Sequence, residues 1–201
     1  MTKEHKYNNK QAYISTCRDV DDLFISIALE GLKVRGTKEF INSRVVLRAL
    51  QAKPWNLEWD CLKAEYKEAA FLFHAILVGN EHYTSEIYDA KHYVFLLDEM
   101  KNAASEIMKE GTDTRRANIS FPSTHCFESI QVLIRGKSMY VTVNMRSCNA
   151  YKNLMNDLCL AHFIAYHIAF LACIDKDVTS AKVVANIGSL HLFEGDVQYV
   201  L

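Results

Sequence analysis

The strongest constraint on the fold is a change of pattern in the middle of the chain. Residues 117–121, 128–134 and 138–144 are short and β-branched, and Arg135-Gly136-Lys137 separates the last two as a hairpin turn. Soon after comes the longest apolar run, residues 158–174, which carries His162 and His167. It is short for a membrane span, so it predicts a core helix buried on all sides, and no membrane is expected as a partner. A sheet and an all-apolar helix that follow one another must share a core, which points to an α+β fold.

The flanking segments agree with that class. Residues 19–32 place Val20, Leu23, Phe24, Ile27, Ala28 and Leu32 at helical spacing, with Gly31 as a stop signal. Residues 59–78 and 88–109 repeat the helical period and end at Gly79-Asn80 and Gly111. Residues 40–50 and 181–193 read as strands, and 154–173 as the apolar helix. There are no repeats, no low-complexity tracts and only two prolines, so residues 1–201 read as a single domain with a mixed sheet faced by helices.

Half of the 201 residues are hydrophobic, enough to bury one sizeable core. The formal net charge of -1 gives no global attraction to nucleic acid or to an anionic membrane, so any anion site must be local. Six cysteines without a CxxC pair, most of them in apolar segments, predict reduced thiols and a cytoplasmic compartment. Residues 1–11 are polar and lack the apolar stretch of a signal peptide.

Candidate chemistry lies at fixed offsets. Cys126 is followed 20 residues later by Arg146-Ser147, and Asp157 comes 11 residues after Arg146. Each has an ordinary reading too. A lone cysteine in an apolar neighbourhood is usually inert core, Arg115-Arg116 is by itself a solvated turn, and Asp157 near a helix start is favoured by unpaired N–H groups. His125 beside Cys126 does not predict a dyad, because adjacent strand residues point to opposite faces. His162 and His167 are five apart, off the metal spacing, and Cys148, Cys159 and Cys173 read as packing residues.

Taken together, Cys126, Arg146, Ser147 and Asp157 resemble the nucleophile hairpin of the thymidylate synthase superfamily. Asp157 stands where thymidylate synthases carry an Asn that reads uracil and where phage deoxycytidylate hydroxymethylases carry an Asp that reads cytosine. Cytosine offers an amino donor and a ring nitrogen acceptor, which an aspartate or its protonated form can pair. The resemblance extends to Asp113-Thr114-Arg115-Arg116, similar to an Arg pair that reaches the partner subunit's phosphate, and to Arg35-Gly36-Thr37, similar to a mobile loop that closes on the same phosphate. It also covers Asn186 through His191, where His191 would hold the sugar 3′-hydroxyl, and, more weakly, Glu65 as the residue that organises protons and water, with Glu58 and Glu68 nearby.

The resemblance implies a thymidylate synthase-like fold, a sheet-mediated homodimer with Arg115 and Arg116 donated across it, and a pyrimidine nucleoside monophosphate substrate. Arginine forks would hold the phosphate and lower the Cys126 pKa. It also implies that the Cys126 thiolate adds to ring carbon 6, so that ring carbon 5 captures a one-carbon unit from 5,10-methylenetetrahydrofolate, water quenching the intermediate in hydroxymethylases. The chain departs from the family in being shorter between Glu65 and Cys126 and in ending at Leu201, ten residues past His191. Asn149 stands for an Asp that contacts the pterin, Asn153 for a Gly, and Phe193 for a Tyr that binds the sugar. Two readings therefore stay open: a dCMP or CMP hydroxymethylase, and a cytidylate-binding or folate-independent relative.

Overall fold

The computed structural model describes residues 10–15, 17–51 and 63–201, with the side chains at 17, 48–51 and 63–66 outside that description. Glu58 and Cys61 lie outside the described residues. The described chain is mixed α+β. Its strands are β1 (Gln11–Ile14), β2 (Leu32–Val34), β3 (Thr37–Gln51), β4 (Asn118–Ser120), β5 (Phe127–Arg135), β6 (Ser138–Asn149) and β7 (Ser180–Phe193). Its helices are α1 (Cys17–Glu30), α2 (Lys63–Leu77), α3 (Leu96–Glu110), α4 (Leu154–Leu171) and α5 (Glu194–Val197).

The strands form one seven-stranded sheet in the order β1-β3-β7-β6-β5-β4, with β2 on β3. β1 runs parallel to β3 and β6 parallel to β7, and the other pairs are antiparallel. Helix α4 packs against α2, α3, β6 and β7. It is the one helix among the described residues long and apolar enough to cross a membrane, and 83% of it is buried inside the protein. Leu154, Leu158, Leu160, Ile164 and Ile168 are fully enclosed, each contributing about 1.5–3 kcal/mol of apolar burial. The lack of an apolar stripe in its sequence follows from this burial on every side.

A row of irregularities crosses four neighbouring strands. On β6 the inward positions step by two through Met139, Val141, Val143 and Met145, then by three to Cys148. The same step of three separates Ile187 from Leu190 on β7, Ser43 from Phe40 on β3, and Ile130 from Phe127 on β5. Each strand thus carries one extra residue, as in a bulge, and beyond it the faces exchange. Asn42 takes up the extra length on β3 with φ 52°, and the β5–β6 register shifts between Phe127 and Ser129. On β7 the position is Gly188, where a Cβ would lie 2.7 Å from the Arg146 carbonyl oxygen. Only glycine lets β7 approach β6 this closely.

Two expectations need correction. The segment 88–109 is helical only from Leu96, because residues 83–93 are taken up by a compact turn. There Ser85 Oγ accepts from the N–H groups of Ile87 (3.3 Å) and Tyr88 (3.1 Å), and Asp89 caps a 3-10 turn over Ala90–His92. Short polar side chains offered the backbone local bonds that compete with a helix. The Arg35-Gly36 segment is a two-residue hairpin turn with φ 44° and 84° rather than an open loop, closed by Thr37 Oγ1 on the Val34 carbonyl at 2.6 Å. The short strands β1 and β2 were not anticipated, and β6 runs five residues further than its β-branched stretch.

Gly188→Ala is expected to cost about 1–3 kcal/mol in urea unfolding, because backbone on both sides must shift. Gly195, where a Cβ meets nothing within 4 Å, is the control. Equal effects at the two positions would contradict the close approach.

Candidate functional site

Cys126 sits in the turn between β4 and β5, one residue before β5, and is exposed. Its carbonyl accepts from Arg146 N at 2.9 Å, which ties the turn to β6. The Arg146 guanidinium donates from Nη1 to the Ser123 carbonyl at 3.0 Å, and Phe121 stacks on Phe127 beneath at 5.0 Å. Ser147 Oγ lies 3.8 Å from Cys126 Sγ. The thiol is therefore held at a fixed place with a hydroxyl beside it.

His125 is not on a strand, since the 122–126 segment is a turn, so strand alternation does not separate it from Cys126. The dyad is absent for another reason. His125 Nε2 donates to the His92 carbonyl at 2.8 Å, and Nδ1 faces Thr124 Oγ1 at 3.4 Å, so both ring nitrogens are engaged away from the thiol.

Asp157 lies in the first turn of α4 and is 5% exposed. Its own N–H bonds to the Asn153 carbonyl at 2.8 Å, and its carboxyl is bonded to side chains outside the helix. Tyr88 donates its hydroxyl to Asp157 Oδ1 at 3.0 Å, and Cys148 Sγ lies 3.8 Å from Oδ2. Both partners are neutral. Burial pushes the Asp157 pKa up to about 7, and the two hydrogen bonds only partly oppose it. Burial likewise raises Tyr88, Tyr93 and Cys148 well above their ordinary values, so none of them is charged near neutrality.

Cys126 and Asp157 line one cavity of about 490 Å³, shared with Tyr88, Tyr93, His92 and Asn153. That volume lies in the range of small-molecule sites. The row of bulges opens a second cleft of about 450 Å³, where Arg44 and Arg146 meet Asn42, Glu128, Asn144 and Asn186. Here Asn186 Nδ2 donates to Asn144 Oδ1 at 3.0 Å, and Asn144 Nδ2 to Ser129 Oγ at 2.9 Å.

The other expected residues are more dispersed. His191 stands two residues beyond Ser189, the register partner of Ser147, which puts it ~7 Å along the sheet. Ser189 Oγ lies 3.5 Å from His191 Nδ1 and makes a short hydrogen bond to Glu39 Oε2. Arg35 is at the hairpin tip beyond Phe193, five residues along β7 from Gly188, or ~17 Å from the Arg146 strand position. Arg115 and Arg116 lie near Gln131, ~13 Å along β5 from Phe127, with Arg116 paired to Glu110 at 2.5 Å. Within one chain, then, these three arginines do not join Arg146. Glu65 falls in α2, but its side chain lies outside the described residues. Cys173 is exposed at φ 59°, so it is not a packing residue.

Asn149 is committed elsewhere. Its Oδ1 accepts from Tyr151 N (3.0 Å) and Lys152 N (3.1 Å), and its Nδ2 donates to Asp196 at 3.3 Å. No group of three or more metal-ligating side chains occurs among the described residues. Tyr88 is the site residue that sequence reasoning missed. The available signal was the turn chemistry of Ser85 and Asp89 around it, which argued against a helix there.

The chain matches no protein-family model and no curated protein sequence.

Because the Asp157 pKa is raised on folding, the neutral acid is the stabilising form. Its contribution is complete below about pH 4 and is lost as pH rises through about 7. Between about pH 5.5 and pH 8 the wild type should lose about 2 kcal/mol that Asp157→Asn does not lose. Urea unfolding of both proteins at the two pH values measures it, and a pH-independent difference would contradict the buried acid.

Proposed function

We infer that this protein is a pyrimidine nucleoside monophosphate enzyme of the thymidylate synthase type, working at ring carbon 5 as a dCMP or CMP hydroxymethylase does. The observation that carries the reading is that Cys126 and Asp157 face one cavity from opposite elements. A pyrimidine between them can present its carbon 6 to the thiol and its carbon-4 edge to the carboxyl.

In this reading the Cys126 thiolate adds to ring carbon 6, and the electron pair moves to carbon 5, which becomes nucleophilic. Ser147 Oγ lies 3.8 Å from the sulfur before the nucleotide enters, and its single O–H turns to the phosphate once the nucleotide is bound. Asp157 holds the base edge, and Arg146 with Ser147 offers donors to the phosphate. His191 binds the sugar hydroxyl, and Phe193, lacking a hydroxyl, offers it no hydrogen bond. A homodimer through the sheet would bring Arg115 and Arg116 of one chain to the phosphate of the other. Exposed Tyr13 and Tyr140 on the sheet face opposite the helices suit such an interface.

In hydroxymethylases the one-carbon unit comes from methylenetetrahydrofolate. The residue placed by resemblance at the pterin is held in another role, since Asn149 Oδ1 accepts from the turn before α4 and its Nδ2 donates to Asp196. This favours a second reading, in which activated carbon 5 exchanges its hydrogen with water and no folate takes part.

Release of tritium from ring carbon 5 of dCMP, with and without methylenetetrahydrofolate, separates the two. Folate-dependent release supports the transferase, and folate-independent release supports addition without transfer. Cys126→Ser should reduce either rate by at least about a thousandfold, the scale on which nucleophile loss acts. Persistent release would remove Cys126 from the mechanism.

A further inference from the structure

We propose that Tyr88 is the positioning residue that makes Asp157 selective between cytosine and uracil, by confining the acid proton to Oδ2. This rests on the reading of the cavity as a pyrimidine site, and it adds a residue that the nucleophile hairpin does not contain.

Cytosine offers an acceptor at ring nitrogen 3 and a donor at position 4, whereas uracil offers a donor and then an acceptor. A carboxylic acid has one donor and one acceptor, so it can serve either base simply by moving its proton from one oxygen to the other. Alone, a neutral acid therefore discriminates poorly. It becomes selective only when something decides which oxygen keeps the proton.

Tyr88 is placed to decide. Its hydroxyl donates to Asp157 Oδ1 at 3.0 Å, and an oxygen receiving that hydrogen is a poor place for a second one along the same direction. The acid proton is left to Oδ2. Cys148 competes only weakly for that oxygen, because its single S–H, a poor donor, is shared between Oδ2 at 3.8 Å and the Asn149 carbonyl at 3.5 Å. Oδ1 keeps a lone pair free to accept from a base amino group, and Oδ2–H is the donor to a ring nitrogen.

The tyrosine cannot easily swing away. It is 3% exposed, its ring lies edge-on to Tyr93 at 5.9 Å, and its backbone closes the compact turn through Ser85 N on the Tyr88 carbonyl at 2.7 Å. The groups around the carboxyl are Tyr88 and Tyr93 from the segment before α3, Cys148 from β6, Cys126 across the cavity, and Cys159 on α4 itself. Glu86, Asp89, His92 and His125 line the same cavity, but among the described residues none of the groups that act on the carboxyl is a cation, and the neutral acid is the form that this setting keeps below about pH 7.

Calorimetric Kd values for dCMP and dUMP, with wild type and Tyr88→Phe at about pH 6 and pH 8, test the assignment. The wild type should prefer dCMP over dUMP at the lower pH, and Tyr88→Phe should shrink that preference by about tenfold or more, mainly by improving dUMP, whereas a wild-type preference for dUMP would overturn the proton assignment. A purely structural role would weaken both nucleotides alike and leave the ratio unchanged, which overturns the proposal. If Tyr88→Phe does not fold, the wild-type profile decides. A confined acid proton requires the preference to change as Asp157 ionises, and a ratio constant from about pH 5.5 to pH 8.5 overturns it. Binding of neither nucleotide by the wild type removes the pyrimidine site itself, and the role of Tyr88 with it.

Discussion

One extra residue in each of four adjacent strands controls where the side chains at this end of the molecule point. Up to Met145 and Ile187 the sheet buries every second residue beneath the helices. Past the row of bulges the alternation is reversed, so Cys148 and Leu190 turn inward while Ser147 and Ser189 turn outward. Without that reversal Ser147 would face the core and Cys148 would face away from Asp157. The bulges thus place a hydroxyl beside the exposed thiol and a thiol beside the buried acid with a single backbone device.

The buried acid is the energetic counterpart of this geometry. Enclosing Asp157 among neutral groups costs stability whenever it is ionised, and nothing in the packing of α4 requires a carboxyl there. An asparagine of similar size would still accept the Tyr88 hydroxyl's hydrogen without that pH-dependent penalty, whereas a leucine would leave this buried donor unpaired. A perturbed carboxyl lining a cavity with an exposed thiol across it is the pattern expected of a binding or catalytic site. The helix-start explanation weakens here, because the Asp157 carboxyl bonds to Tyr88 and Cys148 and its N–H already bonds to Asn153.

Legibility in the sequence followed period. The step of two made β5 and β6 readable, and an unbroken apolar run marked α4 as core because a helix buried on all sides needs no polar face. The offsets from Cys126 to Asp157 identified the two residues that share a cavity. What was hidden depended on contacts between distant segments. The steps of three at Arg146 and Gly188 look like ordinary strand sequence until neighbouring strands are set in register. Tyr88 was absorbed into a helical pattern because the bonds of Ser85 and Asp89 to nearby N–H groups outweighed the apolar spacing. Arg115 and Arg116 stand out as a pair in sequence, yet they lie near Gln131, away from Arg146 within their own chain, and Arg116 is paired to Glu110.

The proposed function requires one pyrimidine ring between Cys126 and Asp157. A crystal structure of the protein with cytidine or deoxycytidine monophosphate would then show ring carbon 6 in contact with Cys126 Sγ and the carbon-4 edge hydrogen-bonded to Asp157. A nucleotide seated instead in the cleft of Arg44 and Asn186, or with its base turned away from Asp157, would contradict it.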